Sequence, residues 1–281
     1  MPVVRQPRVC YRTFHSGAGK GCFSCPSKVG KIFLIPVERY ASYDPFAWYY
    51  NRDWGAEFHS EALGALRKLA FSRLPQDARV LDLCCGTGDL TRSLAAHGYR
   101  VTGLDGSEQM LRFAREKVPD AQFILADARD FQLPPVFDAA LSTYDSLNHI
   151  LTFPELLAAF RNVYHALSPG GFFVFDLNME EKFRTLWRGA HPVVEEKAVS
   201  ITRAHYDPAE KIGRVDITVF RLEEHWKRCE VCVLEKCYSE EEVRSGLIEA
   251  GFCEIHVYDA QKLGMQSDIG LGRAFFFARK L

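Results

Sequence analysis

The strongest chemical signal in the chain is carried by Asp82, Gly86, Thr87 and Gly88, within Val80-Leu-Asp-Leu-Cys-Cys-Gly-Thr-Gly88, and by Asp105, which closes Val101-Thr-Gly-Leu-Asp105. An apolar run, a glycine turn and a second apolar run ending in a carboxylate bring backbone N–H groups and an acceptor to one point. Without β-carbons at Gly86 and Gly88, the backbone can approach a ligand closely. A carboxylate placed as Asp105 is accepts two hydrogen bonds from a ribose diol. Ser107 can cap the next helix, which leaves Asp105 for the ligand.

Two residues discriminate among nucleosides. A dinucleotide fingerprint has a third glycine where this chain has Thr91. Asp82, ending the first strand, would repel a pyrophosphate seated over the helix N-terminus and would favour a cation. S-adenosylmethionine carries a sulfonium and an ammonium group and no phosphate. A nicotinamide dehydrogenase is disfavoured on both counts.

The elements that position these residues follow from periodicity. An aromatic-rich lead, Tyr43-Asp-Pro-Phe-Ala-Trp-Tyr-Tyr50-Asn-Arg-Asp-Trp54, runs into a helix over 56–73. Strands are expected over 79–84, 100–105, 121–126, 137–143 and 171–176, with helices over 88–97, 107–117 and 154–167. Such alternation gives a parallel sheet with helices on both faces. Over 193–238 the pattern changes to apolar–polar alternation: three antiparallel strands, 198–206, 214–220 and 228–235, form a small β insertion. A helix capped by Ser239, with Glu242 completing a capping box, follows. Final strands are expected over 253–259 and 273–279.

Composition bounds the rest. Lys plus Arg number 35 against 36 Asp plus Glu, so no general positive field favours a nucleic-acid or anionic-membrane partner. Apolar runs are too short to span a bilayer. Nine cysteines, odd in number and scattered, fit a reducing compartment, the cytoplasm. Residues 1–38 are basic up to Glu38 and rich in Gly, Ser and Pro, which reads as a flexible, disordered leader, with a transit peptide or an over-long translation start as alternatives. Within it, Cys22-Phe-Ser-Cys25 lacks a second pair at zinc-site distance. No His/Asp/Glu cluster has metal-ligand spacing, so no metal is expected.

The segment Asp82-Leu-Cys-Cys-Gly86-Thr-Gly88 resembles the first motif of the class I S-adenosylmethionine-dependent methyltransferases, and the likeness covers about residues 43–281. It implies an α/β, Rossmann-like seven-stranded sheet, mostly parallel with the last strand antiparallel, and S-adenosyl-L-methionine as cofactor. Cys84 stands where the family has a smaller residue. Asp105 matches the ribose carboxylate, and Gly106 and Met110 would lie against the adenosine. Ala126-Asp127-Ala128-Arg129 is similar to the adenine site, with the Asp127 carboxylate and the Ala128 backbone reading the base; the bland alternative for Asp127 is a turn-forming residue. Leu167-Ser-Pro-Gly-Gly171 resembles the turn before the fifth strand.

The resemblance places the methyl acceptor at the C-terminal ends of the fourth and fifth strands. There Leu141-Ser-Thr-Tyr-Asp-Ser-Leu-Asn-His149 lacks the Asn/Asp-Pro-Pro-Tyr motif of base and glutamine-amide methylases. The aromatic lead, the His149 loop and the β insertion are similar to the sugar-amine and glycine–sarcosine N-methyltransferases. His149 or Tyr50 could orient an amine or receive its proton, and Tyr144 would line the cofactor. For His149 a packed loop histidine is the bland alternative; for Tyr50, a core aromatic. A small-molecule acceptor and a monomeric or homodimeric protein are the expectation; RNA or protein methylation and a non-catalytic S-adenosylmethionine sensor are the alternatives.

Overall fold

Strands rich in Val, Leu and Phe, separated by capped helices, assemble one seven-stranded sheet. The computed structural model describes residues 10–12 and 43–281; the expected leader, apart from strand β1 (Cys10–Arg12), and the Cys22–Cys25 pair lie outside the described residues. After the aromatic lead comes α1 (Gly55–Leu69). Then follow β2 (Arg79–Leu83), α2 (Asp89–Ala96), β3 (Arg100–Asp105), α3 (Glu108–Lys117), β4 (Gln122–Leu125) and β5 (Phe137–Ser142). Next are α4 (Phe153–Ala166), β6 (Leu167–Asn178) and α5 (Glu180–Leu186). The insertion comprises β7 (Gly189–Val194), β8 (Ala198–Asp207), β9 (Ile212–Leu222) and β10 (Trp226–Lys236). The chain ends with α6 (Glu240–Ala250), β11 (Cys253–Asp259), α7 (Ala260–Leu263) and β12 (Arg273–Arg279).

The main sheet has the order β11-β12-β6-β5-β2-β3-β4. Strand β12 runs antiparallel to both of its neighbours, and the remaining neighbouring pairs are parallel. The last strand is therefore the reversed one, as expected. Order reverses between β2 and β5, and a ligand crevice opens at such a switch point, beyond the C-terminal strand ends.

Both faces are covered. Along β6, Phe172 and Val174 join a core with α1 and the insertion, while Phe173, Phe175 and Leu177 join a second core with α4 and α6. Period-two alternation sends successive side chains to opposite faces. The insertion sheet, in the order β1-β10-β9-β8-β7, buries Val215, Ile217, Val219, Val231 and Val233 against the aromatic lead and the main sheet.

Some boundaries and elements differ from expectation, among them the short helix α7. The first helix stops at Leu69 and finishes in a 3-10 turn, Phe71–Arg73. Strand β6 begins at Leu167, which pairs with Phe137, while the Lys280 carbonyl accepts from Gly170 N and Lys280 N donates to the Gly171 carbonyl across the Pro-Gly-Gly segment. Helix α5 was not expected; its seven residues are too few for an amphipathic period to show. The insertion starts at Gly189 with a fourth strand, β7, which is largely exposed and contains Pro192, so neither alternation nor propensity marked it.

Candidate functional site

Strand β2 ends at the turn that carries the glycines. Gly86 and Gly88 have φ of +53° and +81°, the left-handed region that glycine enters without cost. A β-carbon on Gly88 would stand 3.0 Å from Ala114 Cβ, and one on Gly86 would point at the Tyr50 ring 3.7 Å away. The space between Gly86 and Tyr50 is thus a cradle that a side chain would fill. Cys84 also has positive φ, +59°, and burial pushes its thiol pKa up.

Asp105 closes this turn. Its Oδ2 accepts from Gly86 N at 2.8 Å and its Oδ1 from Ser107 N at 2.9 Å. Burial raises its pKa against those bonds. Gly106 lies between the two, and Ser107 caps α3 by accepting from Met110 N at 3.2 Å. Met110 itself is buried in the core.

Asp82 is buried, and its Oδ2 accepts from Thr91 Oγ1 at 2.6 Å. Burial pushes its pKa up to about 7, opposed by the Thr91 bond. Thr91 is therefore more than a missing glycine: its hydroxyl fixes the carboxylate. Asp82 is also not the permanently charged group expected from sequence; it sits near its ionisation point until a cation arrives. Asp82, Cys84, Thr87, Tyr50, Tyr144 and Thr143 line one cavity together with Phe58 and His59 of α1.

Phe58 and His59 had no sequence signal beyond a helical period. Phe58 stacks on Tyr144 with centroids 4.1 Å apart, and His59 bonds Ser93 Oγ at 2.6 Å. Asp44 was missed too. Its Oδ1 accepts from Ser107 Oγ at 2.7 Å and Gln109 N at 3.1 Å, which anchors the aromatic lead on the N-terminus of α3. A Pro-flanked Asp before an aromatic run looks like a turn former.

Asp127 and Ala128 follow β4 at the sheet edge. The Asp127 carboxylate accepts from Arg129 N at 2.8 Å and pairs with the Arg129 guanidinium at 2.5 Å. Arg129 also pairs with Glu155 at 2.8 Å. The turn-forming geometry is thus present, and the adenine contact would have to share that carboxylate with Arg129.

On the other side of the crevice, Tyr144 and Asp145 after β5 both have positive φ, and their N–H groups donate to Asp176 Oδ1 at 2.6 Å and Oδ2 at 3.0 Å. His149 Nδ1 donates to the Leu234 carbonyl of β10 at 3.2 Å, so a neutral ring carries its lone pair on Nε2. Among the described residues, Asp145, His149 and Glu235 bring ligand-type atoms within 4.8 Å of one another. Sequence spacing could not show that trio, since Glu235 arrives from the insertion. Tyr50 is buried, and its phenol is pushed up by burial and by Tyr144, Asp89, Asp145 and Asp105; it stays a phenol and cannot serve as a base at neutral pH. A second hollow, lined by Arg79, Arg100, Gln122 and Pro134, lies at the N-terminal ends of the strands, away from these groups.

The methyltransferase domain family matches residues 80–171. YqeM of Bacillus subtilis is 29% identical over 213 residues, covering 74% of this chain and 86% of that protein. The dTDP-4-amino-2,3,4,6-tetradeoxy-D-glucose N,N-dimethyltransferase of Saccharopolyspora spinosa is 30% identical over 187 residues, covering 61% of this chain and 73% of that protein. The chain belongs to the class I S-adenosylmethionine-dependent methyltransferases. Structure agrees: CalS10 of Micromonospora echinaspora, an amino pentose methyltransferase solved with S-adenosylmethionine bound, superposes with TM-score 0.66 at 25% identity, covering 84% of this methyltransferase and 96% of that chain. The Gly86–Tyr50 cradle and the carboxyls of Asp105 and Asp82 beside it fit that cofactor. Among the described residues, no helix of the methyltransferase is long and apolar enough to cross a membrane.

Proposed function

We propose that this methyltransferase transfers a methyl group to the nitrogen of a small-molecule amine, with amino sugars the favoured class. The observation that carries the reading is the trio of Asp145, His149 and Glu235. The carboxyls of Asp145, after β5, and of Glu235, in β10, meet His149, where an amine could be bound as a cation and stripped of water. Relatives named as sugar N,N-dimethyltransferases support it, including that of Streptomyces venezuelae, 35% identical over 143 residues.

S-adenosylmethionine supplies an electrophilic methyl group on sulfur. Asp105 would hold the ribose, Gly86, Thr87 and Gly88 the backbone cradle with Cys84, Gly106 and Met110 around it, and Asp127 with Ala128 the base. Asp82 would balance the cationic end. Tyr50 and Tyr144 would wall the transferable group off from water, which sharpens every electrostatic contact inside. His149, with its tautomer fixed by Leu234, would orient the amine or accept a proton on Nε2. The nine scattered cysteines, odd in number, favour a reducing compartment, and the proposed residence is cytoplasmic.

The test incubates the full chain with methyl-labelled cofactor and a panel of dTDP-linked amino sugars, the hydroxyl analogues of the same sugars, small amines and tRNA. Label is expected on the amines and on none of the hydroxyl analogues. Tight cofactor binding with no transfer to any of them would leave a sensor instead.

A further inference from the structure

Between the main sheet and the insertion lies a cluster of charges that the cofactor turn does not use. Asp145, Asp176, Glu235, Arg273 and Lys182 are all buried. Arg273 pairs with Asp145 at 2.6 Å and also with Asp176. Lys182 Nζ donates to the carbonyls of Asp268 at 2.7 Å and Ile269 at 2.8 Å. Glu235 Oε2 accepts from Asn178 Nδ2 at 3.0 Å, whereas its buried Oε1 meets no protein donor. Three carboxyls thus face two cations, which leaves a negative charge uncompensated when all are ionised. Burying such a charge is costly. Burial, with Asp145 adding repulsion, accordingly raises the Glu235 pKa well above the ordinary carboxyl range. Asp145 is raised by burial too, against the pull of Arg273.

The cluster is placed where a substrate would be. Asp145 follows β5 and Asp176 lies in β6, at the ligand-binding end of the sheet, and Glu235 hangs from the roof. Tyr43 links it to the cofactor side. Its phenol is raised by burial and then by Tyr50 and Asp105 together with Glu235 and Asp145, so it lies within electrostatic reach of both.

We propose that Glu235, with Asp145 beside it, binds the acceptor's ammonium group and takes one of its protons, so that the β insertion supplies the group that makes the amine nucleophilic. This rests on the amine reading above. As the ammonium docks, the raised Glu235 carboxyl gives its own proton to solvent; the amine's N–H bond then breaks with its electron pair kept on nitrogen, and a new O–H bond forms on Glu235 Oε1. An ordinary carboxylate, near 4.3 in model peptides, would leave the proton on an amine by several orders of magnitude. A carboxyl raised by burial shares the proton on closer terms than an ordinary one, the direction that general-base matching requires. His149, its Nδ1 bonded to the Leu234 carbonyl, has a ring nitrogen within 4.8 Å of both carboxyls. A divalent metal is the poorer occupant, because Arg273, paired with Asp145 at 2.6 Å, would repel a doubly charged ion.

The test uses the full chain and an amino sugar nucleotide that the wild type methylates, with the hydroxyl analogue as control. At pH 7, calorimetry in two buffers of different ionisation enthalpy should show about one proton released on amine binding and none on binding of the analogue; no release with the amine overturns the assignment. Glu235→Gln keeps the Asn178 bond and removes the proton acceptor. Its cofactor affinity should match the wild type, and kcat/KM should fall about a hundredfold at pH 7. That deficit should shrink as pH approaches the amine's pKa. A deficit constant across pH, or a divalent ion retained by the full chain whose chelation abolishes activity, overturns the assignment. A wild type that methylates no amine overturns the proposed function itself, and this inference with it.

Discussion

Asp82 shows how one buried carboxyl can serve binding at the expense of stability. Its pKa is pushed up to about 7 by burial, whereas an unfolded Asp titrates near 3.9. Between those values the folded state holds the extra proton, so stability is fullest below the unfolded pKa and declines as pH rises through the folded one. A cation needs the ionised form, so cofactor affinity should strengthen from pH 6 to 8 and then level off. Asp82→Asn should remove both trends: calorimetric scanning at pH 8 should give a Tm for the unliganded protein a few degrees above wild type, and titration should give S-adenosylmethionine binding about tenfold weaker, a change of ~1.4 kcal/mol. Retained pH dependence in the variant would assign the effect to another group. Thr91 was legible only as a departure from a dinucleotide pattern; that its hydroxyl meets Asp82 could not be read, because sequence spacing carries no side-chain direction across a strand–helix turn.

Elements were more legible than residues wherever one periodic run buries one face. The helices after β2, β3 and β5 begin within a residue of expectation, because Ser107 and Thr152 cap α3 and α4 and Gly88 starts α2. Helix α6 carries the reciprocal box, with Ser239 Oγ accepting from Glu242 N at 3.2 Å and Glu242 Oε2 accepting from Ser239 N at 2.8 Å. Ser239→Ala removes one of these bonds and should cost about 1 kcal/mol, read as a fall in Tm of roughly 2–4 °C, with kcat/KM unchanged because α6 packs on the face remote from the glycine turn. Strand β7 and helix α5 escaped notice for the opposite reason: one is exposed and the other short, so tertiary contact and not local pattern decides them. The Asp145–His149–Glu235 trio escaped for the same reason, since its members meet only once β10 has folded over the 3-10 turn Ser146–His149.

At the scale of the whole molecule, the aromatic lead is what joins the two halves. Asp44 ties it to Ser107 and Gln109 on the cofactor side. Tyr49 Oη donates to Ser200 Oγ at 2.6 Å, and Arg52 pairs with Glu195 at 2.7 Å, on the insertion side. Phe46, Tyr49 and Trp54 fill the space between, with ring centroids 4.9 to 5.8 Å apart. The sequence marked this segment by its aromatic density, yet offered no sign that it bridges the insertion and the sheet, a relation that exists only between distant parts of the chain.

That bridge carries a consequence for the order of events in turnover. A segment fastened at both ends and lying over Gly86 cannot admit the nucleoside and the amine independently. The first ligand to enter must lift it, and the second arrives at a segment already settled. Initial velocities measured over both substrates should therefore intersect in a sequential pattern, with S-adenosylhomocysteine competitive against S-adenosylmethionine and noncompetitive against the amine. A dead-end analogue of the amine should be uncompetitive against S-adenosylmethionine; a noncompetitive pattern, which random binding gives, would mean that the lead is no gate and that each compartment exchanges its ligand alone.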